Sequence, residues 1–224
     1  MSRPPNLLND DGRASMATAI MMSHHAFRRD LAWFAVALKK IAEGDTSRMD
    51  AVREEWQRFR GALHGHHQVE DSAIFPDLRS KQASLEPTLE RLSAHHRSID
   101  PMLEDGDRAF GELPKSDTAT KVVAELRALL DEHLALEEAE VIPFLRGARE
   151  FPAPPDEAAA AMYADGFAWA SHGIAPDVLE RVSEMLPEIL SSRLPDARAK
   201  FEERCERVWG SAKTGAARTS IPEL

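Results

Sequence analysis

Cysteine and tyrosine each occur once in 224 residues, and glycine supplies only 11 of them. The lone Cys205 has no second thiol to pair with, which excludes an internal disulfide and fits a reducing compartment. Scarce Gly and Tyr, beside abundant Ala, Leu, Glu and Arg, favour helix over sheet. Basic clusters are also missing. The chain carries 28 Lys and Arg against 38 Asp and Glu, a net charge of −10, which argues against a nucleic-acid surface and against binding to an anionic membrane. No stretch reaches the roughly 18 apolar residues of a membrane span. The opening Ser2-Arg3-Pro4-Pro5-Asn6 lacks the apolar core of a secretion signal. A cytoplasmic protein is the expectation.

Apolar residues at helical spacing fill most of the chain. Ile20, Phe27, Leu31, Phe34, Leu38 and Ile41 step by three or four or by seven, predicting a helix from about Ser15 to Glu43. A second runs from about Ser47 to Phe75 on Val52, Trp56, Phe59 and Leu63, and Pro76 kinks or ends it. A third starts at Pro87 and carries Leu89, Leu92, Ile99 and Leu103, with Pro101 a candidate kink. A fourth spans about Ala119 to Ile142 and closes at Pro143. Four long helices with short connections predict an all-α fold, an up-down-up-down four-helix bundle over 15–148 behind an N-terminal arm, 1–14. Phe151-Pro152-Ala153-Pro154-Pro155 reads as a stiff connector to a C-terminal helical extension, 149–210. Its segments are Asp156–Ser171, Pro176–Leu190 and Pro195–Trp209, expected to pack on the bundle, on a protein partner or in a homodimer. Residues 211–224 are expected to be a disordered tail.

Within this frame one pattern occurs twice. His66 and His133 are each followed by Glu at +4 (Glu70, Glu137), an acid at +5 (Asp71, Glu138), a β-branched residue at +8, Pro at +10, Leu at +12 and Arg at +13. Residues four apart share a helix face, with Cβ atoms about 5–6 Å apart, so a His and a Glu so placed can grip one metal ion. The apolar stripes also sort the other histidines. His24 lies four after Ile20 and three before Phe27, and His96 lies four after Leu92 and three before Ile99; both point inward. Four His and two Glu thus face one interior. Buried carboxylates without a counter-charge cost several kcal/mol each, and no basic residue lies on the inward stripes. A divalent metal pair supplies the missing cation. Imidazole and carboxylate without thiolate suit iron, manganese or zinc.

Around this set, Asp71 and Glu138 lie one residue round from the Glu ligands. His25 sits on the flank of the first helix, His67 beside the site, and His95 at the edge of the third stripe; all are candidates for supporting contacts. His64 reads as surface, His172 has no supporting pattern, and Cys205 lacks the neighbours of a nucleophile.

With these residues in place, the chain resembles the hemerythrin-like (HHE cation-binding) family. The likeness rests on His24-x-x-Phe27, His66-x3-Glu70-Asp71-x4-Pro76, His96-x-x-Ile99-Asp100-Pro101 and His133-x3-Glu137-Glu138-x4-Pro143, over about residues 15–146. It implies a four-helix bundle holding an oxo- or hydroxo-bridged pair of iron ions. The ligands would be His24, His66, Glu70, His96, His133 and Glu137. Family members carry or sense dioxygen, sense iron, or act on peroxide or nitric oxide.

The chain departs from the oxygen carriers in one respect. They have two His four residues apart on the third helix, whereas here Asp100 stands at +4 from His96 and Leu92 at −4. Spacing does not decide whether Asp100 or His95 fills the gap. A more open site favours redox chemistry or sensing over reversible oxygen storage. Two readings follow: a di-iron protein that binds or turns over small oxidants, including peroxide decomposition or another oxidoreductase activity, or a non-enzymatic sensor that signals through its C-terminal helices. A zinc-stabilised structural bundle is the outsider.

Overall fold

The computed structural model describes residues 6–215, and among these every regular element is helical, with no strand. None of these helices is long and apolar enough to cross a membrane. The described chain divides into two compact units, one of residues 6–26 and 141–206 and one of residues 27–140 and 207–215.

The second unit carries the doubled pattern. Its helices are residues 27–42 of α1 (Met16–Ala42), α2 (Met49–Val69), α3 (Phe75–Lys81), α4 (Glu86–Gly111) and α5 (Asp117–Glu140). Helix α4 packs along both α5 and α2. Apolar periodicity fixes which faces meet. On α5 the buried positions Ala119, Val122, Val123, Leu126, Leu130, His133, Leu134 and Glu137 form one stripe, so the ligand-type residues continue the hydrophobic face rather than leave it. One part of the interior is aromatic. Phe34 meets Trp56 edge-on at 5.7 Å between ring centroids, Trp56 stacks on Phe110 at 4.5 Å, and Trp209 meets Phe34 at 4.8 Å. Gly106 on α4 permits this approach, because a Cβ there would overlap the Trp56 ring. The Trp56 indole N–H donates to Asp107 Oδ1 at 2.9 Å, which satisfies its one polar atom.

Two local expectations are corrected by the structure. The second predicted helix does not run unbroken to Phe75. It ends at Val69 and passes through a π-helical turn, Glu70–Ile74, in which the Phe75 N–H reaches the Glu70 carbonyl five residues back. Pro76 offers the reason: its ring clashes with the carbonyl four residues earlier, and a turn widened by one residue removes that conflict. The chain then continues as α3, with Pro76 in its first turn. The third predicted helix is preceded by a short 3-10 turn, Ala83–Leu85, and Pro101 lies inside α4 without ending it. The expected tail begins with a turn of helix, α11 (Ala212–Gly215), whose Ala212 is buried; residues 216–224 lie outside the described residues.

The first unit joins the start of the chain to α6 (Ile142–Leu145), α7 (Glu157–Ser171), α8 (Pro176–Ser183), α9 (Glu188–Ser191) and most of α10 (Leu194–Trp209). The N-terminal segment is tied down rather than loose. Leu7 is buried, Thr18 Oγ1 donates to the Leu7 carbonyl at 2.7 Å, and the Arg146 guanidinium donates to the carbonyls of Asn6 and Leu8. Asp156 caps α7 by accepting the Ala159 N–H at 2.8 Å. Phe151 meets Phe167 edge-on at 4.9 Å, giving the extension a small core of its own.

Candidate metal centre

Each ligand-type side chain is delivered by a helix whose apolar stripe it interrupts. On α2, Trp56, Phe59 and Leu63 are buried, and the stripe ends on His66 and His67, three and four residues after Leu63. Of the two, His67 is the more deeply buried, 3% exposed. The π-helical turn opens on Glu70, which is 1% exposed. Helix α4 brings His96, and α5 brings His133 and Glu137, the last two wholly buried.

These residues converge. Ligand-type atoms of His67, Glu70, His96 and His133 all lie within 4.8 Å of one another, and so do those of His66, Glu70 and Glu137. Glu70 belongs to both sets. Its Oε1 lies 2.9 Å from His66 Nε2, and its Oε2 lies 3.3 Å from His96 Nε2. The imidazoles are crowded: His67 stacks on His96 at 4.1 Å, His96 meets His133 at 4.8 Å, and Phe75 covers His96 at 5.7 Å. On the far side of His96, its Nδ1 lies 2.8 Å from Asp71 Oδ2, while Ser93 donates to Asp71 Oδ1. Asp71 therefore fixes the ring so that Nε2 faces the cluster.

The protonation preferences follow from this crowding. Burial, reinforced by the neighbouring His96 and His66 rings, pushes His67 far below the usual imidazole range and keeps it neutral. Burial also opposes charge on His96, but the hydrogen bonds from the Glu70 and Asp71 carboxylates outweigh it and raise its affinity for a proton. A proton held between His96 and Glu70 stands where a metal cation would be equally welcome. Neither nitrogen of His67 has a hydrogen-bond partner among the described residues, although both are buried. A polar group left so in a folded interior costs about 1–3 kcal/mol, and a bound ion is one of the few things that explains it.

His24 lies on α1 in the first unit and is wholly buried. His25 faces the extension in that same unit, its Nε2 3.2 Å from the His172 carbonyl oxygen, and His172 Nδ1 lies 2.9 Å from Glu202 Oε1. Glu138 accepts from Arg28 at 2.6 Å, a bond between α1 and α5. His95 is only partly buried; burial lowers its proton affinity, and its ring lies 5.8 Å from that of His133. Asp100 is half exposed and sits 3.4 Å from His64 Nδ1. Neither His95 nor Asp100 belongs to the two convergent sets; His67 does. Sequence spacing placed His67 beside the site and not in it. The available signal was its position four residues after Leu63, as good a place on the stripe as that of His66.

The donor set is therefore imidazole and carboxylate on a dry helical interior, with Glu70 shared. It suits a hard or borderline cation. A family model described as the hemerythrin HHE cation binding domain matches residues 15–145. No curated protein and no solved structure matches the chain. The matched segment spans more than half of the sequence and contains every residue of the convergent sets, and the chain belongs to the hemerythrin HHE cation-binding family.

Proposed function

We propose that this chain is a non-haem di-iron protein that binds or reacts with small oxidants such as dioxygen, hydrogen peroxide or nitric oxide. His67, His96 and His133 would hold one ion and His66 and Glu137 the other, with Glu70 between them. His24 is the further imidazole proposed for the set, on the strength of its position along the α1 stripe in the sequence. The observation that carries the reading is His67, a buried, neutral imidazole with both nitrogens unsatisfied, set against His96, His133 and Glu70. Manganese or zinc would fit the same donors, and the choice of iron comes from the family.

When bound, an iron pair supplies reversible one- and two-electron chemistry at its open positions. The chain's own residues do the rest. Asp71 orients His96, Phe75 covers its ring, and the apolar stripes of α2, α4 and α5 keep bulk water from the carboxylates. Iron quantification with an absorption spectrum tests the reading. It expects about two iron ions per chain and charge-transfer bands near the ultraviolet edge; less than one ion and a featureless spectrum would overturn it.

A sensor is the second reading, favoured by one contact. His25 adjoins the proposed ligand His24 and touches the carbonyl of His172, which is linked through its ring to Glu202 on α10. A shift at His24 would pass to the C-terminal helices and so to a protein partner or a second copy. Proteolysis of the extension with and without iron tests it, and identical digestion patterns would sink it.

A further inference from the structure

A cavity of about 450 Å³ opens on the second unit between α2, the π-helical turn and α4. Its mouth is His64 and Asp100, with side chains 49% and 51% exposed and 3.4 Å apart. Asp71, 43% exposed, stands partway in. The floor is His67 and His96, both 3% exposed. Gln68 and Ser72 complete the wall, so every lining residue carries a polar group and none is a lysine or arginine.

We infer that this cavity is the loading port through which a divalent cation reaches the buried cluster. The inference rests on the metal-centre reading above and adds the route. Two features carry it. Carboxylates and imidazoles are spaced along the wall from solvent to interior, so a cation can exchange its waters for protein donors one at a time. At the inner end stands His67, more than nine-tenths buried, lining the cavity with both nitrogens unpartnered. A metal ion with its inner waters needs on the order of 200 Å³ at ~30 Å³ per water, which the cavity holds. The carboxylates at the mouth and wall give the cavity a negative potential that concentrates cations, as charged clefts do. An apolar gas needs no such lining.

The test uses the full chain, stripped with a chelator, and cobalt(II) alone as probe, followed by its visible absorption after rapid mixing. Asp100→Lys puts a positive charge at the mouth without touching a buried group. Glu104→Lys, on the same helix and exposed but outside the cavity lining, is the control for net charge. The port predicts that Asp100→Lys slows loading at least tenfold, that Glu104→Lys stays within twofold of the unmodified chain, and that all three reach the same final stoichiometry. Equal rates for the two variants overturn the port while leaving the centre intact. Failure of the unmodified chain to bind cobalt overturns the centre and, with it, the port.

Discussion

The imidazoles of His67 on α2 and His96 on α4 lie face to face, ring centroids 4.1 Å apart and planes within 15° of parallel. Two cations could not be held so close in a dry interior, so one ring must stay neutral. The surroundings decide which: burial and like charge depress His67, while Glu70 and Asp71 favour a proton on His96. The arrangement serves a metal well, since it presents one ring already deprotonated and another whose proton is readily exchanged for a stronger cation.

This sets a pH dependence for the metal-free chain. Unfolded, the His67 imidazole takes its proton near pH 6.5; folded, it refuses one until far lower pH. The unfolded state therefore binds more protons below that point, and the folded state loses stability as pH falls from about 6.5, by up to about 1.4 kcal/mol per pH unit. His96 works in the opposite sense but is present in both proteins to be compared. Denaturation of the metal-free chain and of His67→Gln at pH 7.0 and 5.0 should show a clearly smaller pH loss in the variant. Equal losses would mean that His67 is not the ring being held neutral.

Glu70 is the one carboxylate shared by both sets of ligand atoms, and Glu137 belongs to only one. Glu70→Ala should accordingly lower bound metal from two ions per chain to less than one, whereas Glu137→Ala should retain about one. Elemental analysis of the two purified variants separates these outcomes. Equal metal in both would contradict the proposal that Glu70 serves both ions.

Asp71 meets the cluster only through His96 Nδ1. Asp71→Asn keeps the side-chain volume but weakens the grip on the ring's tautomer, and metal affinity should fall tenfold to a hundredfold. Asp71 is part-exposed, so the melting temperature of the metal-free protein should change little. Competition against a chromophoric chelator measures the first quantity and calorimetry the second.

Gly106 is a packing site remote from the ligands in sequence. A methyl group there would overlap Trp56, whose ring stacks on Phe110, so Gly106→Ala should cost about 1–3 kcal/mol through overpacking. Metal content of the folded fraction should be unchanged. Denaturant titration with metal analysis would expose a hidden link between the aromatic core and the centre if both fell together.

Much of this was legible in the residues because periodicity and chemistry coincide. His133 and Glu137 sit on the same stripe as Leu126 and Leu130, so a single reading of α5 placed core and ligands together. His67 was not, because His66 and His67 both border the α2 stripe and nothing local says which is the deeper. The answer lies across the interior, where His96 and His133 leave room for a ring coming from α2 rather than for a second His on α4. The π-helical turn is a similar case. Pro76 signalled a disturbance, but whether a helix answers by ending, kinking or widening depends on what the displaced turn can pack against. His25 looked like a flank residue on the α1 pattern and is buried, because the segment carrying His172 covers it. Glu138 finds Arg28 on a different helix, a pairing no local spacing encodes.

Anaerobic titration of the chelator-stripped chain with ferrous iron, with ions per chain and melting temperature read together, probes the heart of the account. Binding should saturate at two ions per chain and raise the melting temperature by roughly 10–20 °C at a hundredfold excess over the dissociation constant. Saturation below one ion, with the melting temperature unmoved, would show that the buried histidines and glutamates of this interior are held together by something other than metal.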